Sequence, residues 1–308
     1  MSSTYTAGIE FGGTKVVLLI LNEKQKIVHQ SRIATTTPKQ TLAAISAELD
    51  RFRPLVAVGV GAFGPIDVNP VSASYGTILS TPKPGWEGTN LYEFFASRYD
   101  CSVTIDTDVN AAGLAEYTMG IARGVSNFCY VTIGTGIGGG QLIHGRPIKG
   151  LFHAEMGHMQ LARAKGDEGF SVACPYHDHC AEGLASGSAL SHRWGKPMCD
   201  FSYGHDAWNF EVEYLAQFFH NLIMTNAPEC IVVGGGVMSE VLLSKVRTEL
   251  GAKLNGYIDQ FNSSKLLDDY LRLPGLGDRA GSLGSLLLVR NEDNRGVGLD
   301  QLTLPNAI

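Results

Sequence analysis

The 308-residue chain is sparing in charge: 18% of residues are Asp, Glu, Lys or Arg, and the 30 acids outnumber the 24 bases. The resulting formal charge of −6 argues against nucleic acid as the main partner, since that polyanion is held largely by basic side chains that neutralise its phosphates. No run approaches eighteen consecutive apolar residues, so neither a spanning helix nor a membrane partner is expected. The opening MSSTYTAGIEFGG lacks a basic segment followed by an apolar one, which leaves no secretory leader and makes the cytoplasm the expected location. There the six cysteines, at 101, 129, 174, 180, 199 and 230, should stay reduced, and a disulfide framework is not expected. Low-complexity tracts and long charge blocks are also missing.

Glycine is what the chain has in quantity, gathered into three clusters that each follow a β-rich run. Residues 6–28, TAGIEFGGTKVVLLILNEKQKIV, read as strand, Gly12-Gly13 turn, strand. Neither a P-loop nor a dinucleotide fingerprint fits here, because both require the turn to open a helix. Residues 128–143, FCYVTIGTGIGGGQLI, repeat the layout, which suggests an internal duplication with one copy opening each of two domains. The third cluster, IVVGGGV at 231–237, leads into a helix instead. In SEVLLSKVRTEL, Leu242, Val246 and Leu250 recur at helical spacing, with Ser239 as the available cap. Further helices are expected at 109–117, 213–225 and 280–290, strands at 55–66 and 102–106, and a Pro/Gly loop at 80–88. This alternation predicts an α/β protein, long enough for two domains and hence a cleft.

Three sets of residues carry chemistry. Glycine turns let backbone N–H groups approach an anion, so Gly12, Gly13, Thr14, Gly134, Thr135, Gly136, Gly234 and Gly235 could together cradle a nucleotide triphosphate. Lys15 would add charge, and Glu10 could hold Mg2+ through water. In IDTDVNAAGLAE a strand ends in two acids where a helix begins. A carboxylate there is either a cap or, for Asp108, a general base at the kind of junction where α/β proteins bind ligands. The third set is His158, Cys174, His177 and Cys180, where C-x2-H-x2-C lets one tight loop supply three ligands and His158 closes a tetrahedral zinc site. Four protein ligands would make that zinc structural. His153 and His179 are expected to be non-ligands.

GIEFGGTK, DTDVNAA, IGTGIGGG, HAEMGH and CPYHDHCAEGLASG, in that order, resemble the ROK family of sugar kinases and sugar-responsive repressors over about residues 8–290. GPID at 64–67, STPKPGW at 80–86 and Thr-Asp in place of Asn-Asp are most similar to its bacterial fructokinases. The resemblance implies the actin-like ATPase (ribonuclease H-like) fold, two α/β domains around a cleft. The first would span 1–118, rejoined by a C-terminal helix at about 283–308, and the second 119–282, with the zinc knuckle at 158–180. It also implies ATP and Mg2+, a sugar substrate, a homodimer, and Asp108 as the base. Gly64, Thr107, Asp108, Glu155, His158 and Glu182 would bind the sugar, with the zinc loop holding Glu155 and Glu182 in place. Family glucokinases place Asn where Thr107 stands, which favours fructose over glucose. Kinases for mannose, glucose or an N-acetylated sugar stay open as alternatives. A repressor is disfavoured, since family repressors carry a helix-turn-helix ahead of the first glycine turn and here seven residues precede Gly8.

Overall fold

A computed structural model describes residues 3–202, 204–261 and 264–291, so the helix expected at 283–308 lies partly outside the described residues. The chain forms two compact units. Among the described residues the first comprises 3–123, 149–153 and 278–291, and the second 124–148 and 154–277.

The first unit opens with strands Tyr5–Phe11 (β1), Lys15–Asn22 (β2) and Ile27–Ala34 (β3), then helix Pro38–Leu49 (α1), strand Leu55–Ala62 (β4), helix Leu91–Tyr99 (α2), strand Ser102–Thr107 (β5) and helix Asp108–Thr118 (α3). Its sheet runs in the order β3-β2-β1-β4-β5, antiparallel on the β2 and β3 side and parallel through β1, β4 and β5. Six consecutive residues of β2 are buried, which is why VVLLIL reads as an unbroken apolar run. Strand β3 alternates half-buried and exposed residues, as an edge strand wetted on one face does. It was not apparent beside the stronger β1 and β2 signals, and the modestly amphipathic α1 and α2 were likewise not read from the sequence. The strand expected at 55–66 ends at Ala62: Phe63 still donates to the Phe11 carbonyl, but Pro65 has no N–H to extend the ladder.

The second unit holds strands Asn127–Ile133 (β6), Ile137–Ile143 (β7) and Arg146–Pro147 (β8), helices Ala181–Ala185 (α4), Gly187–Trp194 (α5) and Asp206–Asn226 (α6), strand Cys230–Gly234 (β9), helices Glu240–Leu254 (α7) and Ser264–Tyr270 (α8), and strand Leu271–Arg272 (β10). Its sheet order, β10-β9-β6-β7-β8, read from the antiparallel edge is the order of the first sheet, with the same directions. The duplication suggested by the two strand-turn-strand segments therefore extends to whole-sheet topology. Helix α6 starts earlier than 213 because His205 caps it, its Nδ1 accepting the Ala207 N–H at 3.1 Å. Ser239 caps α7 as expected, accepting from Leu242 N–H at 3.3 Å.

Helix Ala280–Asn291 (α9) returns to the first unit and packs on α3, β4 and β1. The approach is close enough to require glycine. A Cβ on Gly284 would lie 1.7 Å from the Ala111 carbonyl oxygen, and one on Gly59 would lie 1.8 Å from that of Ser285. Among the described residues no helix is long and apolar enough to cross a membrane.

Candidate active site

In the first unit, β1 and β2 are joined by the turn predicted from Gly12 and Gly13. Gly12 N–H donates to the Lys15 carbonyl at 2.9 Å, and Thr35 braces the turn, its N–H on Thr14 O and its hydroxyl on Gly12 O, both at 2.9 Å. The parallel strand β5 passes straight into α3. Thr107 is the cap of that helix, its hydroxyl accepting the Asn110 N–H at 3.1 Å. The two acids of DTD therefore have different positions. Asp106 is buried and committed: Oδ1 takes the Thr107 N–H and the Asn110 amide, both at 2.8 Å, and Oδ2 meets the Lys149 ammonium at 2.7 Å. Asp108 stands half-buried in the first turn, with Oδ1 on the Val109 N–H at 2.9 Å. The N-cap of α3 is therefore Thr107 and not Asp108.

Glu10, near the end of β1, faces the same place. The residue is half-buried, and its Oε2 is shut off from solvent with no hydrogen-bond partner. Burial, reinforced by the negative charges of Asp108 and Asp278, pushes its carboxyl up to about 7 against the opposing pull of Lys15 and the Ser282 N–H. An orphaned carboxylate oxygen beside two further carboxylates suits a hard divalent cation, which takes oxygen ligands, so these residues fit Mg2+.

A raised carboxyl pKa has a definite sign in stability. The folded protein holds the Glu10 proton more tightly than the unfolded chain does, so between pH 4.5 and about 7 stability falls as pH rises, and it levels off above. In Mg2+-free buffer we expect Glu10→Gln to abolish that contribution, at most about 3 kcal/mol across the window. Denaturant melts of both proteins at pH 5 and 8 check this; parallel pH dependences would contradict it.

In the second unit the two remaining glycine turns adjoin. Val237 N–H donates to the Ile133 carbonyl at 3.0 Å, and Gly235, with φ +97°, lies so near that a Cβ would come 2.3 Å from the same oxygen. The β6–β7 turn at 134–136 is held by α4 and α5. Gly187 N–H donates to Gly134 O at 2.7 Å, Ser188 N–H to Thr135 O at 3.1 Å, and the Ile137 N–H to Glu182 Oε2 at 2.9 Å. Glu182, expected from the resemblance to bind sugar, braces this turn, and a Cβ on Gly136 would come 2.5 Å from its Oε2 and displace that carboxylate. Gly157 packs onto the Ile137 carbonyl, where a Cβ would sit at 1.9 Å, which seats the HAEMGH segment on β7. Glu155 and His158 flank that contact. Burial raises the Glu155 pKa, opposed by His158 and reinforced by Glu182, so the two glutamates are electrostatic neighbours. Such a pair is best served by hydroxyl donors.

The ligand atoms of His158, Cys174, His177 and Cys180 all lie within 4.8 Å of one another. Cys174 Sγ is 3.9 Å from His158 Nδ1 and 3.6 Å from His177 Nδ1. A zinc tetrahedron with bonds of about 2.0–2.3 Å has edges of about 3.3–3.8 Å, so the donor chemistry fits zinc and the ligand atoms stand within about 1 Å of the spacing it needs. Burial pushes the Cys180 thiol up to about 12, so a thiolate there calls for a cation beside it. Cys180 also accepts the Gly183 N–H at 3.3 Å as the cap of α4, two residues before Glu182. His153 and His179 have other partners, the Ile66 N–H at 3.2 Å and Arg163 Nε at 3.2 Å.

Sequence reasoning missed the groups that hold these loops. Arg163 threads the knuckle, donating to the carbonyls of Phe170 at 2.9 Å, Asp178 at 3.2 Å and Asp167 at 3.3 Å. Asp167 is bonded in turn by Arg193 and the Tyr214 hydroxyl. Only the unusual burial of arginine and aspartate betrays them, and a sequence does not display burial.

The profile described as ROK family matches residues 6–292. A fructokinase of Pediococcus pentosaceus is 41% identical, over 92% of this chain and 96% of its own. A fructokinase of Zymomonas mobilis is 40% identical over 93% and 97%. The crystal structure of a ROK hexokinase from Thermus thermophilus superposes with a TM-score of 0.72 at 22% identity, covering 94% of this chain and 99% of that one. The fold is the actin-like ATPase fold expected from the resemblance. By the profile match and by relatives of about 40% identity along nearly its whole length, the chain belongs to the ROK family.

Proposed function

We propose that the protein is a fructokinase that transfers the γ-phosphoryl group of ATP to the 6-hydroxyl of D-fructose. The observation that carries the chemistry is the place of Asp108 in the first turn of α3, electrostatically coupled to Glu10, while Asp106 is tied up in the fold and Thr107 caps the helix. Asp108 would take the proton of the 6-hydroxyl as that oxygen forms its bond to the γ-phosphorus in line with the breaking bond to the ADP oxygen. The backbone N–H groups of the glycine turns 12–14, 134–136 and 234–235 would receive the triphosphate, with Lys15 adding charge. Mg2+, held by Glu10 with its neighbouring carboxylates, would neutralise charge on the phosphates. Glu155, His158 and Glu182, with Gly64 and Thr107, would orient the sugar, and a structural zinc on His158, Cys174, His177 and Cys180 would keep the two glutamates placed. Both similar fructokinases support the choice of sugar.

Thr107 provides the test of specificity. Its hydroxyl cannot offer an amide N–H to a pyranose, and a lost hydrogen bond of this kind is worth about 1–3 kcal/mol, or roughly ten- to a hundred-fold. Fructose should therefore exceed glucose in kcat/KM when a panel of sugars is scored for ADP release. Thr107→Asn should narrow the gap with the fold intact, since asparagine caps helices as well as threonine does. A wild type that prefers glucose would refute the fructokinase assignment and leave the kinase reading standing.

A further inference from the structure

We infer that Lys83 is a further catalytic residue, whose ammonium contacts the phosphoryl group as it passes from ATP to the sugar; this rests on the kinase reading above. Lys83 lies in the loop STPKPGW between Pro82 and Pro84, which restrict the backbone on both sides. The loop is pinned three residues on by Trp86. That side chain is fully buried, its Nε1 donates to the Thr36 carbonyl at 2.8 Å, and its ring packs edge-on against Phe63 and Phe11 at 5.3 and 5.9 Å. Lys83 is therefore carried on a fixed support.

Its ammonium donates to the Gly13 carbonyl and stands 5.3 Å over the ring of Phe63. Gly13 is the middle of the turn assigned to phosphate, and Phe63 immediately precedes Gly64 in the set assigned to sugar. The cation thus touches the phosphate turn and lies over the residue next to Gly64, within the first unit. An ammonium has three donors, and the Gly13 oxygen uses one. Among the described residues Lys83 forms no ion pair, and burial alone pushes its pKa down. By contrast Lys149 and Lys253 are each paired with a carboxylate at 2.7 Å. A partly desolvated cation with donors to spare is stabilised by an anion, and phosphate is the anion this turn would receive. During transfer the sugar oxygen forms its bond to phosphorus, the bond to the ADP oxygen breaks and Asp108 takes the proton. Lys83 stays protonated and offsets charge on the transferred oxygens.

Two substitutions separate this charge from the hydrogen bond. Lys83→Gln keeps an N–H for the Gly13 carbonyl and loses the charge, whereas Lys83→Arg keeps both. Steady-state kinetics with ATP and fructose varied separately should show kcat about 10²-fold lower in Lys83→Gln, with the fructose KM within about threefold and Tm unchanged. Lys83→Arg should recover part of kcat, and in Lys83→Ala added methylammonium should restore turnover saturably. Near-wild-type kcat in Lys83→Gln would overturn the inference. So would a loss that follows Tm and is recovered by neither arginine nor amine, which would mark the residue as a brace for the turn. If Lys83→Gln is fully active while Asp108→Asn is not, this inference fails and the kinase reading stands. A wild type that releases no ADP with any sugar overturns both.

Discussion

Asp108→Asn should lower kcat by about 10²-fold or more while Tm and the fructose KM stay near those of the wild type. The amide keeps the shape of the side chain and can still accept from the Val109 N–H, a bond now made by Oδ1 at 2.9 Å. It cannot take the hydroxyl proton. Because Thr107 caps α3, the neutralised charge should cost the helix no more than about 1 kcal/mol of dipole interaction. Asp106→Asn makes the internal control. That carboxylate is buried and accepts the Thr107 N–H and the Asn110 amide while meeting the solvent-facing Lys149 ammonium at 2.7 Å, so its loss should appear as lower stability, of about 1–2 kcal/mol, rather than as lost turnover. If the Asp108 variant keeps near-full turnover, the residue is an ornament of the helix start and the base lies elsewhere.

The second large effect concerns the metal. Elemental analysis should find about one zinc per chain, and Cys180→Ser should remove it, lower Tm by several degrees and raise the fructose KM. Serine is a good helix cap, so it preserves the start of α4, which Cys180 now caps through the Gly183 N–H, while it loses the soft ligand. Cys174→Ser should act alike, although Cys174 caps no helix. The knuckle should not unravel wholly on chelation, because Arg163 still holds the carbonyls of Asp167, Phe170 and Asp178. What should loosen is the seat of His158, and with it Glu155 three residues earlier. Metal-free protein with unchanged Tm and fructose KM would contradict the structural role.

The parts of this fold most legible in the sequence were those with strong local signals. The runs around the first two glycine clusters are buried on both faces, and Ser239 precedes a clear helical period, so β1, β2, β6, β7 and α7 could be read directly. Edge strand β3 and helices α1 and α2 carry more mixed patterns, and their burial depends on the sheet they cover. The candidate metal-ligating cluster was legible because soft donors at C-x2-H-x2-C are rarely gathered without a cation, and the four donor atoms do lie within 4.8 Å of one another. Asp108 was visible as one of a pair, but which acid of the pair was committed to the fold depended on Lys149, 43 residues beyond Asp106 and brought there only by folding. The same holds for Glu10, whose orphaned oxygen reflects Asp108 and the distant start of α9. Lys83 shows no sequence signal of its contact with Gly13, 70 residues away.

The most direct measurement is 31P NMR of the purified protein incubated with ATP, Mg2+ and D-fructose. The account predicts ADP and fructose 6-phosphate accumulating in equal amounts, abolished or nearly so by Asp108→Asn in protein of unchanged Tm. ADP with inorganic phosphate and no sugar ester, or no consumption of ATP at all, would contradict it.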